Sequence, residues 1–381
     1  MKGTRWILAA ALLIGLLPLR ANAAALAEAG KSAVLMDVTT GTVLYEANSH
    51  EPLAPASVTK VMTMLLIMEA VDSGKIGLQD TVTASEAAAA KGGSQIYLKA
   101  GETMTVSDML KSIAVSYAND CACAMAEHIC GSEAAFVEAM NQRAKELGMR
   151  DTHFVNCTGL DDDDTARQHR TSAHDIALMS RELLKNHPLI KKYTTIWMDT
   201  VRGGAFGLSN TNKLIRFYPG ATGLKTGFTS GAGYCLSASA QRDGMELVAV
   251  VMGAKTSAAR NAACKELLDY GFANFAVIAP ELTEIPGVNV KLGKQDSVSA
   301  ALGESTGLLI DKAQKSAVTT EVALEESVTA PVAQGQRIGT LSIKSGEQTL
   351  RQIPLVASEP VERLTMGDIF VNVLRRAAMA K

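Results

Sequence analysis

One stretch restricts the fold of this chain more than any other. Residues 57–72, SVTKVMTMLLIMEAVD, are apolar almost all round at helical period once the first turn is past, and the run stops before Gly74. A helix without a polar face belongs in the interior of a large domain. The chain, at 381 residues, is long enough for such a domain and for a second one. Pro55 precedes the run, and whatever sits on its opening turn is held rigidly by the burial of the rest. The polar residues there are Ser57, Thr59 and Lys60.

The surroundings of this helix switch period repeatedly. Residues 33–47, AVLMDVTTGTVLYEA, alternate and turn near Thr40-Gly41, which predicts a hairpin. Residues 107–148 are helical in pattern, with segments ending at Gly131 and Gly148, where a helix C-terminus favours glycine. Two strands, from Gly233 and from Met245, flank the turn Arg242-Asp243-Gly244, and a last helix covers about 256–275. Beyond 275 short strand-like pieces such as VNVKL from Val288 predict a small β-rich domain over 276–360. The tail, 362–381, carries a helical stripe of Met366, Ile369, Phe370, Val373, Leu374 and Ala377, followed by Arg375, Arg376 and Lys381. Such a helix can lie in a membrane interface, or dock on the second domain. At the other end, Lys2 and Arg5 precede about 14 apolar residues and then Ala21-Asn22-Ala23-Ala24. That order predicts a secretory signal peptide over 1–23, because the apolar part is shorter than the roughly 20 residues a bilayer span needs. The mature chain is therefore expected outside the cytoplasm.

Ser57-Val58-Thr59-Lys60 is the one S-x-x-K in the chain. Residues three apart on a helix share a face, so the Ser57 hydroxyl and the Lys60 amine lie within reach of each other. A lysine in a dry pocket loses part of its preference for the charged form and becomes a base near neutral pH. Ser57 then reads as a nucleophile activated by Lys60 without histidine. Lys225-Thr226-Gly227 lies just before the Gly233 strand. It offers a cation and a hydroxyl to an anionic group, and a glycine past which a peptide backbone can approach closely. A strand edge here can pair with an extended peptide. Between the two sits Tyr117-Ala118-Asn119.

The three motifs in this order resemble the active-site set of penicillin-binding proteins and serine β-lactamases. The strings PLAPASVTKVMT, GGSQIYLKAGE, DTHFVNCTGLD and GATGLKTGFTSGAGYCLSASA are similar to the low-molecular-mass D-alanyl-D-alanine carboxypeptidases, over about residues 27–275. The resemblance implies an α+β fold: a β-lactamase/DD-peptidase-like domain with an antiparallel sheet flanked by helices, then a small all-β domain and a C-terminal amphipathic helix. It implies that Ser57 forms an acyl-enzyme and Lys60 takes its proton. Asn119 orients the substrate amide, Lys225 with Thr226 holds the terminal carboxylate, and the N–H groups of Ser57 and Phe228 form the oxyanion hole. It also implies wall stem peptides as substrates, β-lactams as covalent inhibitors, the outer face of the membrane as location, and no cofactor. One departure stands out: that branch normally opens its middle motif with serine, where this chain has Tyr117. A phenol can relay a proton to the leaving amine, so Tyr117 is kept among the catalytic candidates.

Two other functions compete. A secreted β-lactamase needs a loop glutamate with an asparagine four residues on, and Glu182 and Asn186 have that spacing. They lie in SAHDIALMSRELLKN, whose helical period makes them a solvated helix face. The other is a non-catalytic wall-peptide or β-lactam sensor in which Tyr117 marks lost chemistry. Composition narrows the field further. A formal net charge of -2 and the absence of a basic run with interleaved aromatics argue against nucleic acid. Neither the six histidines nor the six cysteines form a metal-ligand pattern. The cysteines read as buried small hydrophobes, with Cys121, Cys123 and Cys130 on one helix and Cys157, Cys235 and Cys264 standing alone.

Overall fold

The structure, a computed structural model, describes residues 29–161, 164–278, 285–304 and 307–379. The expected leader at 1–23 lies outside the described residues. Five strands, β1 (Ser32–Asp37), β2 (Val43–Ala47), β3 (Ala221–Thr229), β4 (Gly233–Arg242) and β5 (Met245–Ala254), form one antiparallel sheet in the order β2-β1-β5-β4-β3. The central strands are covered on both faces. Val34, Met36, Val248, Val250 and Met252 point into one core, and Ala33, Leu35, Leu247, Ala249 and Val251 into the other. A strand buried on two sides reads as a continuous apolar run, as β5 does. The turn between β4 and β5 has Asp243 and Gly244 both at positive φ, 49° and 79°, the combination a two-residue hairpin requires.

The larger core is helical. Helix α1 (Lys60–Asp72) is buried along nearly its whole length and packs among α2 (Val106–Val115), α3 (Asn119–Cys130), α4 (Glu133–Glu146) and α5 (Ala173–Asn186). Gly131 ends α3 in the left-handed conformation at φ 81°. On the other face of the sheet lies α6 (Ser257–Asn274), seated by Ala263, Leu267, Leu268 and Phe272. The apolar run at 57–72 departs from a continuous α-helix in one respect: residues Ala56–Thr59 form a 3₁₀ turn, and Lys60 is the first α-helical residue. The cause is local. Ala56 has φ 48°, which an α-helix forbids, and the Thr59 hydroxyl donates back to the Ala56 carbonyl at 2.8 Å.

The C-terminal strands β6 (Val288–Lys291), β7 (Val318–Leu324), β8 (Arg337–Ser345) and β9 (Gln348–Ala357) belong to small sheets with their own apolar centres. One of these is built from Leu341, Ile343, Ile353 and Leu355. The tail forms α7 (Met366–Met379). Its apolar residues are not docked: Met366 is 83% exposed, Phe370 65% and Val373 60%. Among the described residues no helix is long and apolar enough to cross a membrane.

Candidate active site

The 3₁₀ turn lifts Ser57 to a half-buried position while Lys60, at the head of α1, is fully buried. Lys60 Nζ donates to Ser57 Oγ at 3.0 Å and to the Thr158 carbonyl at 2.7 Å. Burial, only partly opposed by neighbouring negative groups, brings its pKa down from 10.5 to about 7. The turn is fixed from below by a relay of neutral groups. Val155 N–H donates to His169 Nδ1, which leaves the proton on Nε2 to reach Thr59 Oγ1 at 2.8 Å. Burial keeps His169 uncharged, with its pKa lowered to about 4.

The segment 156–159 makes the wall beside Lys60. Asn156 Oδ1 accepts from the N–H groups of Thr158 and Gly159, at 3.1 and 2.6 Å, and so turns the Thr158 carbonyl toward the amine. Gly159 sits at φ 80°, and a Cβ there would fall 1.9 Å from the Ala56 carbonyl oxygen, so no side chain fits.

Tyr117 lies in the short connection between α2 and α3, at φ 63°, a strained conformation for an aromatic residue. Its hydroxyl donates to Asn210 Oδ1 at 2.8 Å and accepts from Asn212 N–H at 3.1 Å. The phenol is thus turned to the 210–212 loop instead of Ser57, and burial raises its pKa above the ordinary value. Asn119 opens α3. Its Nδ2 donates to the Gly92 carbonyl at 2.7 Å, while its Oδ1 is buried with no hydrogen-bond partner among the described residues. The next residue, Asp120, holds the 92–99 loop by accepting from Ile96 and Leu98 N–H at 3.1 and 3.0 Å.

β3 is the terminal strand of the sheet and runs past the Ser57 turn. At Gly227 an added Cβ would come 2.8 Å from the Pro55 carbonyl oxygen and 3.0 Å from Ser57 N, so the close approach depends on glycine. Lys225 is fully buried, with its Nζ over the ring of Tyr117 and donating to the Thr226 carbonyl at 2.8 Å. Burial, reinforced by the Lys60 and Arg260 cations, depresses its pKa well below 10.5. The Thr226 hydroxyl pairs with that of Thr211 at 2.7 Å. Phe228 is 55% exposed and stacks on Tyr234, ring centroids 4.3 Å apart.

The structure therefore gathers Ser57, Lys60, Tyr117, Lys225, Thr226 and Gly227 into one cluster, with Asn119 at the head of α3 and Phe228 exposed beside it. Glu182 and Asn186 are on α5, and Glu182 is bound to Arg143 at 2.8 Å, which fits a structural role. Thr158, His169, Asp120 and the 210–212 loop carry no local signature, because each meets its partner far away in the chain. One expectation needs correcting. Cys157 is not a bare buried hydrophobe: its thiol donates to Glu133 Oε1 at 3.2 Å. All six cysteines are free thiols.

A terminal strand packed against a serine–lysine turn, on an antiparallel sheet with helices on both faces, defines the class as the penicillin-recognising acyl transferases. Within that class the assignment is direct. The D-alanyl-D-alanine carboxypeptidase family (peptidase family S11) matches residues 20–256, and the penicillin-binding protein 5 C-terminal domain matches 283–363. The chain belongs to the D-alanyl-D-alanine carboxypeptidase family and is a hydrolase of that type. It is 45% identical over 357 residues to D-alanyl-D-alanine carboxypeptidase DacF of Bacillus subtilis (strain 168), covering 90% of each chain. It is 34% identical to DacC of Escherichia coli (strain K12), covering 89% of this chain and 85% of that one. Among solved structures it resembles penicillin-binding protein 5 from Haemophilus influenzae. The TM-score is 0.73 at 31% identity, covering 88% of this chain and 98% of the other. Penicillin-binding protein D2 from Listeria monocytogenes, solved with ampicillin bound, aligns with a TM-score of 0.58 at 32% identity. It covers 64% of this chain and 98% of that one.

Proposed function

We propose that Ser57 is the nucleophile and Lys60 its base in the removal of the terminal D-alanine from peptidoglycan stem peptides. The observation that carries this reading is the 3.0 Å contact between Lys60 Nζ and Ser57 Oγ, made by an amine whose burial brings its pKa to about 7. An amine uncharged near neutral pH accepts the hydroxyl proton as Oγ attacks the scissile carbonyl. The substrate lies extended along β3, its terminal carboxylate between Lys225 and Thr226. The carbonyl oxygen receives the N–H groups of Ser57 and Phe228, and the buried, unpartnered Asn119 Oδ1 accepts from the substrate amide. The C–N bond breaks, D-alanine leaves with a proton, and water hydrolyses the ester. A β-lactam, which carries a carboxylate beside a strained amide, acylates the same hydroxyl, and the relative solved with ampicillin bound supports this.

The rest of the chain fits work at the wall. We read residues 1–23 as the export leader, 27–275 as the catalytic unit and 276–360 as the β domain. Residues 362–381 are the membrane-interface anchor, supported by the solvent-facing Met366, Phe370, Val373 and Leu374. The test is release of free D-alanine from a muropeptide pentapeptide by the purified mature chain. Ser57→Ala abolishes release and leaves the thermal melt in place. Release that survives Ser57→Ala would sink the assignment.

A further inference from the structure

On the resemblance of its middle motif, Tyr117 stands where that branch carries serine, and its two ends reach the same place by separate routes. The ring face lies under Lys225 Nζ, within the range of a cation–π contact. Lys225 needs such a partner. It is fully buried, the charged groups acting on it are the cations Lys60 and Arg260, and among the described residues no carboxylate pairs with it. The electron-rich face of the phenol ring favours the ammonium form of this lysine.

The hydroxyl takes the second route. It donates its single proton to Asn210 Oδ1 at 2.8 Å and accepts from Asn212 N–H at 3.1 Å. Asn210 is tied in turn to the Ile196 carbonyl at 2.9 Å, and Asn212 Nδ2 donates to the Gly223 carbonyl at 3.0 Å, two residues before Lys225 on β3. Between these two asparagines stands Thr211, whose hydroxyl meets that of Thr226 at 2.7 Å. The loop that the phenol locks is thus the loop that holds Thr226. A hydroxyl whose proton is committed to a buried amide oxygen is poorly placed to shuttle protons to a departing amine.

Resting on the acyl-transfer reading above, we propose that Tyr117 is a positioning residue for recognition of the substrate's terminal carboxylate, seating Lys225 with its ring and Thr226 through the 210–212 loop, and not the proton carrier. The two roles separate in steady-state kinetics. Carboxylate recognition enters KM and the preference for an acid over an amide terminus, whereas proton transfer enters kcat.

The experiment uses the mature chain, a diacetyl-L-lysyl-D-alanyl-D-alanine peptide and the same peptide ending in D-alanine amide. Tyr117→Phe keeps the ring and is expected to hold kcat within about threefold while KM rises modestly. Tyr117→Leu loses the ring as well. Its KM for the acid peptide rises on the order of tenfold, and the preference for acid over amide shrinks by a similar factor. A Tyr117→Phe enzyme that melts normally but loses about a hundredfold in kcat at unchanged KM would overturn the proposal in favour of proton transfer. An unchanged acid-over-amide preference in Tyr117→Leu would overturn it as well. Failure of the wild-type chain to release D-alanine from the acid peptide counts instead against the acyl-transfer reading.

Discussion

At the scale of the residue, Lys60 is the most expensive group in the site. Its folded pKa near 7 lies below the 10.5 of the unfolded chain, so the unfolded state binds more protons between those values. Stability therefore rises with pH through that window, and below about pH 7 the whole burial penalty, several kcal/mol, is felt. The same shift governs chemistry with a definite sign. Acylation by a fluorescent penicillin is expected to increase as pH rises through about 7, where the amine loses its proton. Lys60→Arg, which stays protonated, should label at least about a hundredfold more slowly at every pH tested. Gel fluorescence against time measures both, and a flat profile through pH 7 would remove Lys60 as the base. As candidates, Ser57, Lys60, Lys225 and Thr226 could be picked out because each motif is contiguous and its neighbours announce a buried helix or a strand. Thr158 could not, since what it contributes is a carbonyl, which every residue has. Tyr117 was visible as a departure, but the direction of its hydroxyl depends on Asn210 and Asn212, more than ninety positions away.

At the scale of the element, the site is a contact between a strand and a turn. The turn is not the α-helical start that apolar periodicity suggests. Periodicity reports which side chains are buried, and it does not register the positive φ of Ala56 that tightens the opening into 3₁₀ form. That strain, on the order of 1–3 kcal/mol, sits directly before the nucleophile candidate. Gly227 is the matching feature on β3. Gly227→Ala places a methyl 2.8 Å from the Pro55 carbonyl oxygen and 3.0 Å from Ser57 N, so strand and turn must separate by a few tenths of an ångström. Misplacing the proposed oxyanion donor by that much is expected to slow penicillin acylation by about a hundredfold while the melting temperature moves by only a few degrees. Stopped-flow quenching and a thermal melt on one sample would decide it. Acylation within about threefold of wild type would mean that the close approach is not needed.

At the scale of the whole molecule, the catalytic unit and the β-rich part were apparent in the texture of the chain, since helical periods give way to short strands near residue 275. The order of strands in the five-stranded sheet was not, because β1 pairs with β5 across two hundred intervening residues and no local pattern records that partnership. The tail was read as either an anchor or a docked helix. Its solvent-facing Met366, Phe370 and Val373 favour the anchor. Removing residues after 362 should move the mature enzyme from sedimented anionic vesicles to the supernatant, with D-alanine release from a soluble peptide kept within about twofold. Equal partitioning of the full and shortened chains would count against the anchor.

The position of β3 at the end of its sheet has a further effect, on how copies of the enzyme treat one another. An outer strand edge that welcomes a peptide also welcomes the matching edge of a second molecule. The Ser57 turn packs on the face of β3 at Gly227, the side to which a Cβ would point, and does not itself cover that edge. A peptide bound along β3 would therefore also keep a neighbouring copy off this edge.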